Sequence, residues 1–234
     1  MSDEDLEARA LTLHAEGVTP KQIARALGVR PAQVSEWVRA GLARAAPTDE
    51  LGALVGAWVN PGWSHGLGLE GEASAWRALD PKPEVGQGLV TVFLERQHRH
   101  GKVICSRALV DVWCLGVKNA DGPQVMEPHE SGALRTRVFG VHEREPVTLP
   151  LELLQALVLG AEAFARSIGI SAHVDFEKVR PQLGPWEGPS PIRFGHDGQV
   201  EYIAGPHDDT GRILAILERT VGSGRFDFLT PVRG

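Results

Sequence analysis

Along the first forty residues, apolar side chains recur three and four positions apart. Leu6, Ala10 and Leu13 form one such set, Ile23, Ala24 and Leu27 a second, and Val34, Trp37 and Val38 a third. That spacing puts each set on one face of a short helix, so three helices are expected. Ser2 is placed to cap the first, the acidic turn from Asp3 to Asp5 complements its dipole, and Gly17 stops it. Thr19 caps the second, Pro20 takes its first helical position, and Gln22 falls where a capping box wants Glu or Gln. Gly28 supplies the turn, Val29 plugs the junction, and Pro31 opens the third helix.

Beyond these helices the pattern changes. Residues 41–47 read as a fraying helix end and a break, and Asp49 to Val59 as a short helix with Leu51, Leu54, Val55 and Trp58 on one side. Asn60 to Gly66 is turn chemistry, and residues 80–83 form a stiff Pro-containing spacer. Leu89 to Arg96 and Lys102 to Val117 are rich in β-branched and aliphatic residues and flank a hairpin loop at residues 97–101. From Asn119 to Pro146 turn formers and charges dominate, with room for one short strand. Thr148 is expected to cap a buried helix from Leu149 to Ile168, in which Gly160 marks the close approach of a neighbour and which Gly169 ends. Ile192 to Phe194 and Val200 to Ile203 read as a second hairpin around residues 195–198. Asp208 or Asp209 starts a final helix that runs to Val221. The fold class is therefore α+β: a three-helix module over 1–46, a linker with a short helix and turns over 47–87, and a mixed domain over 88–234 with antiparallel hairpins and a buried helix.

Composition adds little to this picture and charge adds more. The chain of 234 residues is 42% hydrophobic and 23% charged, with no apolar run long enough to span a membrane and no apolar leader, which fits a cytoplasmic protein. Its two cysteines, Cys105 and Cys114, lie inside apolar runs and read as reduced, buried thiols. The net charge is −6, yet up to Ala46 the six bases (Arg9, Lys21, Arg25, Arg30, Arg39, Arg44) balance six acids (Asp3, Glu4, Asp5, Glu7, Glu16, Glu36). Five of those bases lie at Lys21 or beyond, so the module has a positive end that suits phosphate contact.

Ala24, Gly28, Val29, Val34 and Trp37 meet in order the demands of two short helices crossing at a steep angle. Residues 5–41 resemble the helix-turn-helix of bacterial repressors and the homeodomain-like modules of resolvases and transposases. The resemblance implies a third helix that enters the DNA major groove. With Val34, Trp37 and Val38 inward, Ala32, Glu36 and Arg39 face outward, with Gln33 and Ser35 at the flanks. Gln33 suits adenine, Glu36 suits cytosine N4, and Arg39 or Arg30 suits guanine or phosphate. Arg30 departs from the usual N-cap residues. Each of the six also reads as a solvated surface residue.

Residues 109–118 (LVDVWCLGVK), 173–176 (HVDF) and 194–209 (FGHDGQVEYIAGPHDD) resemble a recurring bacterial domain family over about 60–234. Some of its members carry a helix-turn-helix in front, and it implies no catalytic residues. Among these residues Asp111 interrupts an apolar run, and a buried carboxylate needs a partner. It reads as a metal ligand or base, as the partner of Lys118 or Arg107, or as a residue on the solvent face of an alternating strand. His173 and Asp175 are further catalytic candidates, and His207 to Asp209 offers similar ligand types, but no spacing is diagnostic of a metal site and no cofactor is called for. Three readings stay open. The first is a homodimeric transcription regulator that binds double-stranded DNA and whose second domain dimerises or senses a ligand. The second is a metal-dependent nuclease, hydrolase or mobile-element enzyme targeted by the helix-turn-helix. The third is a protein-docking module.

Overall fold

The computed structural model describes residues 6–7, 9–10, 12–13, 18–45, 51–80 and 87–230, without the side chains of 39–45. The chain divides into two compact units, 1–50 and 51–234.

In the first unit the described residues between 6 and 13 are helical, followed by α1 (Pro20–Leu27) and α2 (Pro31–Ala45). Ala10, Ile23, Ala24, Val34 and Val38 are buried together, with Leu13, Val18, Leu27, Val29 and Trp37 packed around them. The apolar periodicity thus generates one small core shared by all three helical segments. Trp37 flanks this core at half burial and does not fill its centre. The expected cap at Ser2, acidic turn from Asp3 to Asp5 and stop at Gly17 lie outside the described residues.

The second unit is built on a five-stranded antiparallel sheet. Its strands are β1 (Leu54–Val59), β3 (Leu89–Gln97), β4 (Val103–Asp111), β5 (Gly116–Met126) and β6 (Val147–Thr148), while β2 (Gly68–Leu69) lies outside it. Across the sheet they stand in the order β5-β4-β3-β1-β6. β3 is central and buried on both faces: Val90, Val92 and Leu94 enter the main core, and Phe93 enters a smaller one. The main core is closed by α4 (Leu151–Ser167) and α5 (Phe176–Leu183), the smaller one by α3 (Pro128–Phe139). Beyond the sheet, β7 (Ile192–Arg193) pairs with β2. β8 (Glu201–Ile203) runs parallel to β9 (Asp227–Leu229), and α6 (Thr210–Thr220) packs on the end of α4 through Leu217, Ala165 and Ile168.

The α+β class, the β3–β4 hairpin and the buried α4 agree with the sequence reading. Gly160 of α4 does meet a close neighbour: a Cβ there would lie 2.5 Å from Ser190 Cβ and 2.7 Å from the Phe194 ring. Asp209 caps α6 by accepting from Arg212 N at 3.1 Å.

Other expectations are corrected. Residues 54–59 form strand β1, not part of a helix over Asp49 to Val59. Pairing with β3 decides this, because it sends Ala57 and Val59 into the main core and Trp58 to the opposite face. The stretch expected as a linker over 47–87 therefore belongs, from Leu51 on, to the second unit, where Trp63, Leu67, Leu69 and Ala73 are buried. Residues 81–83 of the spacer lie outside the described residues. The strand expected to run to Val117 stops at Asp111, where the chain turns and returns as β5. The segment 119–146 holds most of β5 and all of α3, whose Pro128 sits in the first turn behind Glu127. Thr148 lies in β6, and α4 begins one residue after Pro150. The second hairpin is a tight turn with a single His196–Gln199 bridge, while its flanks pair with β2 and β9.

Candidate nucleic-acid interface

The turn between α1 and α2 follows from a few residues. Thr19 N donates to Gln22 Oε1 at 3.1 Å, so the box expected at the start of α1 is formed. Gly28 ends α1 at φ 70°, a left-handed conformation that costs little without a side chain. A Cβ there would meet nothing within 4 Å, so conformation and not crowding is what asks for glycine. Val29 N donates to Ala24 O at 3.1 Å, and the Arg30 carbonyl accepts from Gln33 N and Val34 N. Arg30 therefore stands at the start of α2, its own side chain exposed.

With Val34 and Val38 buried, the opposite face of α2 is open. Ala32, Ser35 and Glu36 are exposed, Gln33 is half-buried, and Ser35 Oγ donates to Pro31 O at 3.0 Å. That bond leaves the Ser35 oxygen as an acceptor toward a partner. Arg39 lies on the same helix, its side chain outside the described part. Two further cations, already counted in the positive end of the module, are exposed on α1. Lys21 and Arg25 are one turn apart on α1 and both exposed. Their spacing of four on an otherwise amphipathic helix was the available signal.

The candidate residues of the second unit do not converge. Asp111 is 4% exposed, and its Oδ1 accepts from Trp113 N and Cys114 N, each at 2.9 Å. It caps the turn between β4 and β5, and burial pushes its carboxyl up to about 6. His173 and Asp175 are neighbours, Nδ1 and Oδ2 3.7 Å apart, but Asp175 also pairs with Lys178 at 2.6 Å. The Lys178 ammonium holds the Asp175 carboxyl below its ordinary value. Lys118 pairs with Asp208 at 2.8 Å, not with Asp111, and Gly205 N donates to the same Asp208 oxygen. Although burial opposes it, this set of donors keeps Asp208 below the usual carboxylate range. Among the described residues no three His, Cys, Asp or Glu side chains are grouped to hold a metal ion. Cys114 is buried, which pushes its thiol well up and away from nucleophilic use.

No curated protein and no solved structure matches the chain. The family match stops short of the second unit, and no helix of the described residues is long and apolar enough to cross a membrane. A model of the homeodomain-like domain matches residues 1–43, and this part of the chain is a homeodomain-like helix-turn-helix.

Proposed function

We propose that the protein binds double-stranded DNA with α2 in the major groove and acts as a transcription regulator, the second unit pairing two copies or sensing a ligand. The observation that carries this reading is the division of α2 into a buried Val34–Val38 side and an exposed side of Ala32, Ser35 and Glu36 that begins at Arg30. A helix so divided presents short and polar side chains to a groove about 12 Å wide. Gln33 and Glu36 read base edges, and Arg30 and Arg39 take guanine or phosphate. Lys21 and Arg25 on α1 hold the phosphate backbone. The excess of acid lies in the rest of the chain, so the DNA attraction is local to this module.

The test is binding of the whole protein to a library of random duplexes, followed by salt titration on the selected site. Lys21→Ala with Arg25→Ala weakens binding to every duplex alike and lowers the salt slope by about 0.9 for each phosphate that is no longer neutralised. Gln33→Ala and Glu36→Ala relax the base preference at single positions. Failure to enrich any sequence, or an unchanged slope in the double variant, refutes the assignment.

A further inference from the structure

In the second unit, three turns bring two imidazoles, an indole and a carboxylate together. The turn at 60–66 supplies His65, the Asp111-capped turn supplies Trp113, and the turn after β7 supplies His196. Trp113 and His196 stack with centroids 4.2 Å apart at 21°, and His65 lies 5.7 Å from Trp113 and 5.6 Å from His196. Trp113 Nε1 donates to His65 O at 2.9 Å. The stack needs bare backbone beside it. A Cβ on Gly88 would lie 2.5 Å from Trp113 Cγ, and one on Gly66 2.5 Å from His196 Cδ2. His196 Nδ1 is bonded to Glu201 Oε2 at 2.5 Å. An ionised carboxylate only accepts, so Nδ1 carries the proton and Nε2 is left for another partner. The nearest described acid to Nε2 is Asp197 on the exposed rim, 3.9 Å away.

Beside this stack opens a cavity of about 360 Å³, lined in part by Ser64, His65, Arg77, Asp80 and Asp197. That volume lies in the range of small-ligand pockets. Its wall charges are not equivalent. Asp80 is buried and already accepts from Gly62 N, Ser64 N and Ser64 Oγ, so its oxygens are occupied within the wall. Glu201 is taken by His196. Arg77 uses one N–H on Leu69 O and keeps the others, and among the described residues the His65 ring has no hydrogen-bond partner. The unfilled groups of the wall are thus the Arg77 guanidinium and the His65 imidazole, with the Asp197 carboxylate on the exposed rim and the His196 ring beside the cavity. The guanidinium and imidazoles are the side chains suited to an oxyanion.

We propose that this cavity binds a small ligand through a phosphate or carboxylate group, held by Arg77 and His65 with His196 at its edge. Glu201 balances the imidazolium that forms when His196 donates from Nε2. Binding takes up a proton and strengthens as the pH falls, Glu201, Asp197 and His65 being the titratable groups that face His196. The proposal deepens the ligand-sensing half of the function above, but binding here needs no DNA, so the two readings fail separately.

The test is a titration of the full chain with inorganic phosphate, and in parallel with acetate, followed by the histidine ring signals in NMR. The expected result is saturable shifts in the His65 and His196 signals, larger near pH 6 than near pH 8. The two signals are assigned by their loss in His65→Gln and His196→Gln. Arg77→Ala, an exposed position, weakens binding at least about tenfold with an unchanged thermal melt. Response to phosphate alone identifies a phosphoryl ligand, and response to both extends the class to carboxylates. No saturable shift, equal shifts in the other histidines, or wild-type binding by Arg77→Ala overturns the proposal.

Discussion

Asp111 offers the sharpest test of how the second unit is held together. One buried oxygen accepts two backbone N–H groups at 2.9 Å, yet burial outweighs those bonds and moves the carboxyl from 3.8 to about 6. Between roughly pH 4 and 6 the folded protein holds a proton on Asp111 that the unfolded chain has released. The contribution of this group to stability therefore falls as the pH rises through that window, and is flat above it. A carboxyl displaced this far is disfavoured as a charge by about 3 kcal/mol, taken as an upper bound. Asp111→Asn keeps the accepting oxygen and removes the charge. The variant should match the wild type near pH 4 and exceed it by up to about 3 kcal/mol near pH 7. Asp111→Ala instead leaves two buried N–H groups without an acceptor and should lose about 2–4 kcal/mol near pH 4, a deficit that shrinks toward pH 7 because the buried charge is gone as well. Urea unfolding followed by tryptophan fluorescence at each pH reads the difference directly. A constant gap between Asp111→Asn and wild type from pH 4 to 7 would refute the account, because only a titrating group produces the slope.

Gly160→Ala tests the packing of α4. Helix propensity favours alanine by about 1 kcal/mol, but the close approach of Ser190 and Phe194 makes overpacking the larger effect, so the melting temperature should drop by a few degrees, and a rise would contradict the packing. One helix-turn-helix covers only a few base pairs, so two copies are expected to act together. Light scattering at micromolar concentration should give twice the 25.3 kDa chain mass, and a monomer that binds an unpaired half-site tightly would refute this.

Legibility in the sequence followed locality. The start of α1 could be read because Thr19, Pro20 and Gln22 act on each other within one turn, and the same holds for Gly28, Pro31 and Asp209. The exposed side of α2 could be read because 100° steps depend only on Val34 and Val38 being buried. Strand β1 could not, since its helical spacing of Leu51, Leu54, Val55 and Trp58 is overridden by pairing with β3, thirty residues away along the chain. β5 and α3 were hidden by Gly122, Pro123, Pro128 and Gly132, which look like breakers but occupy a strand irregularity and helix positions. The His65–Trp113–His196 stack was invisible for a different reason. Its members come from three turns far apart in the chain, and no spacing connects them.

Both ends of the five-stranded sheet are poor templates for another strand. β6 is two residues long, and β5 carries Pro123, which has no N–H to give, beside a register shift against β4. Growth by edge-to-edge pairing, the usual route from a sheet protein to fibres, is therefore interrupted at both margins. A second copy that meets this sheet has to approach through side chains on its faces or on the helices that cover them. Fibre growth through this sheet is therefore not expected even at high concentration.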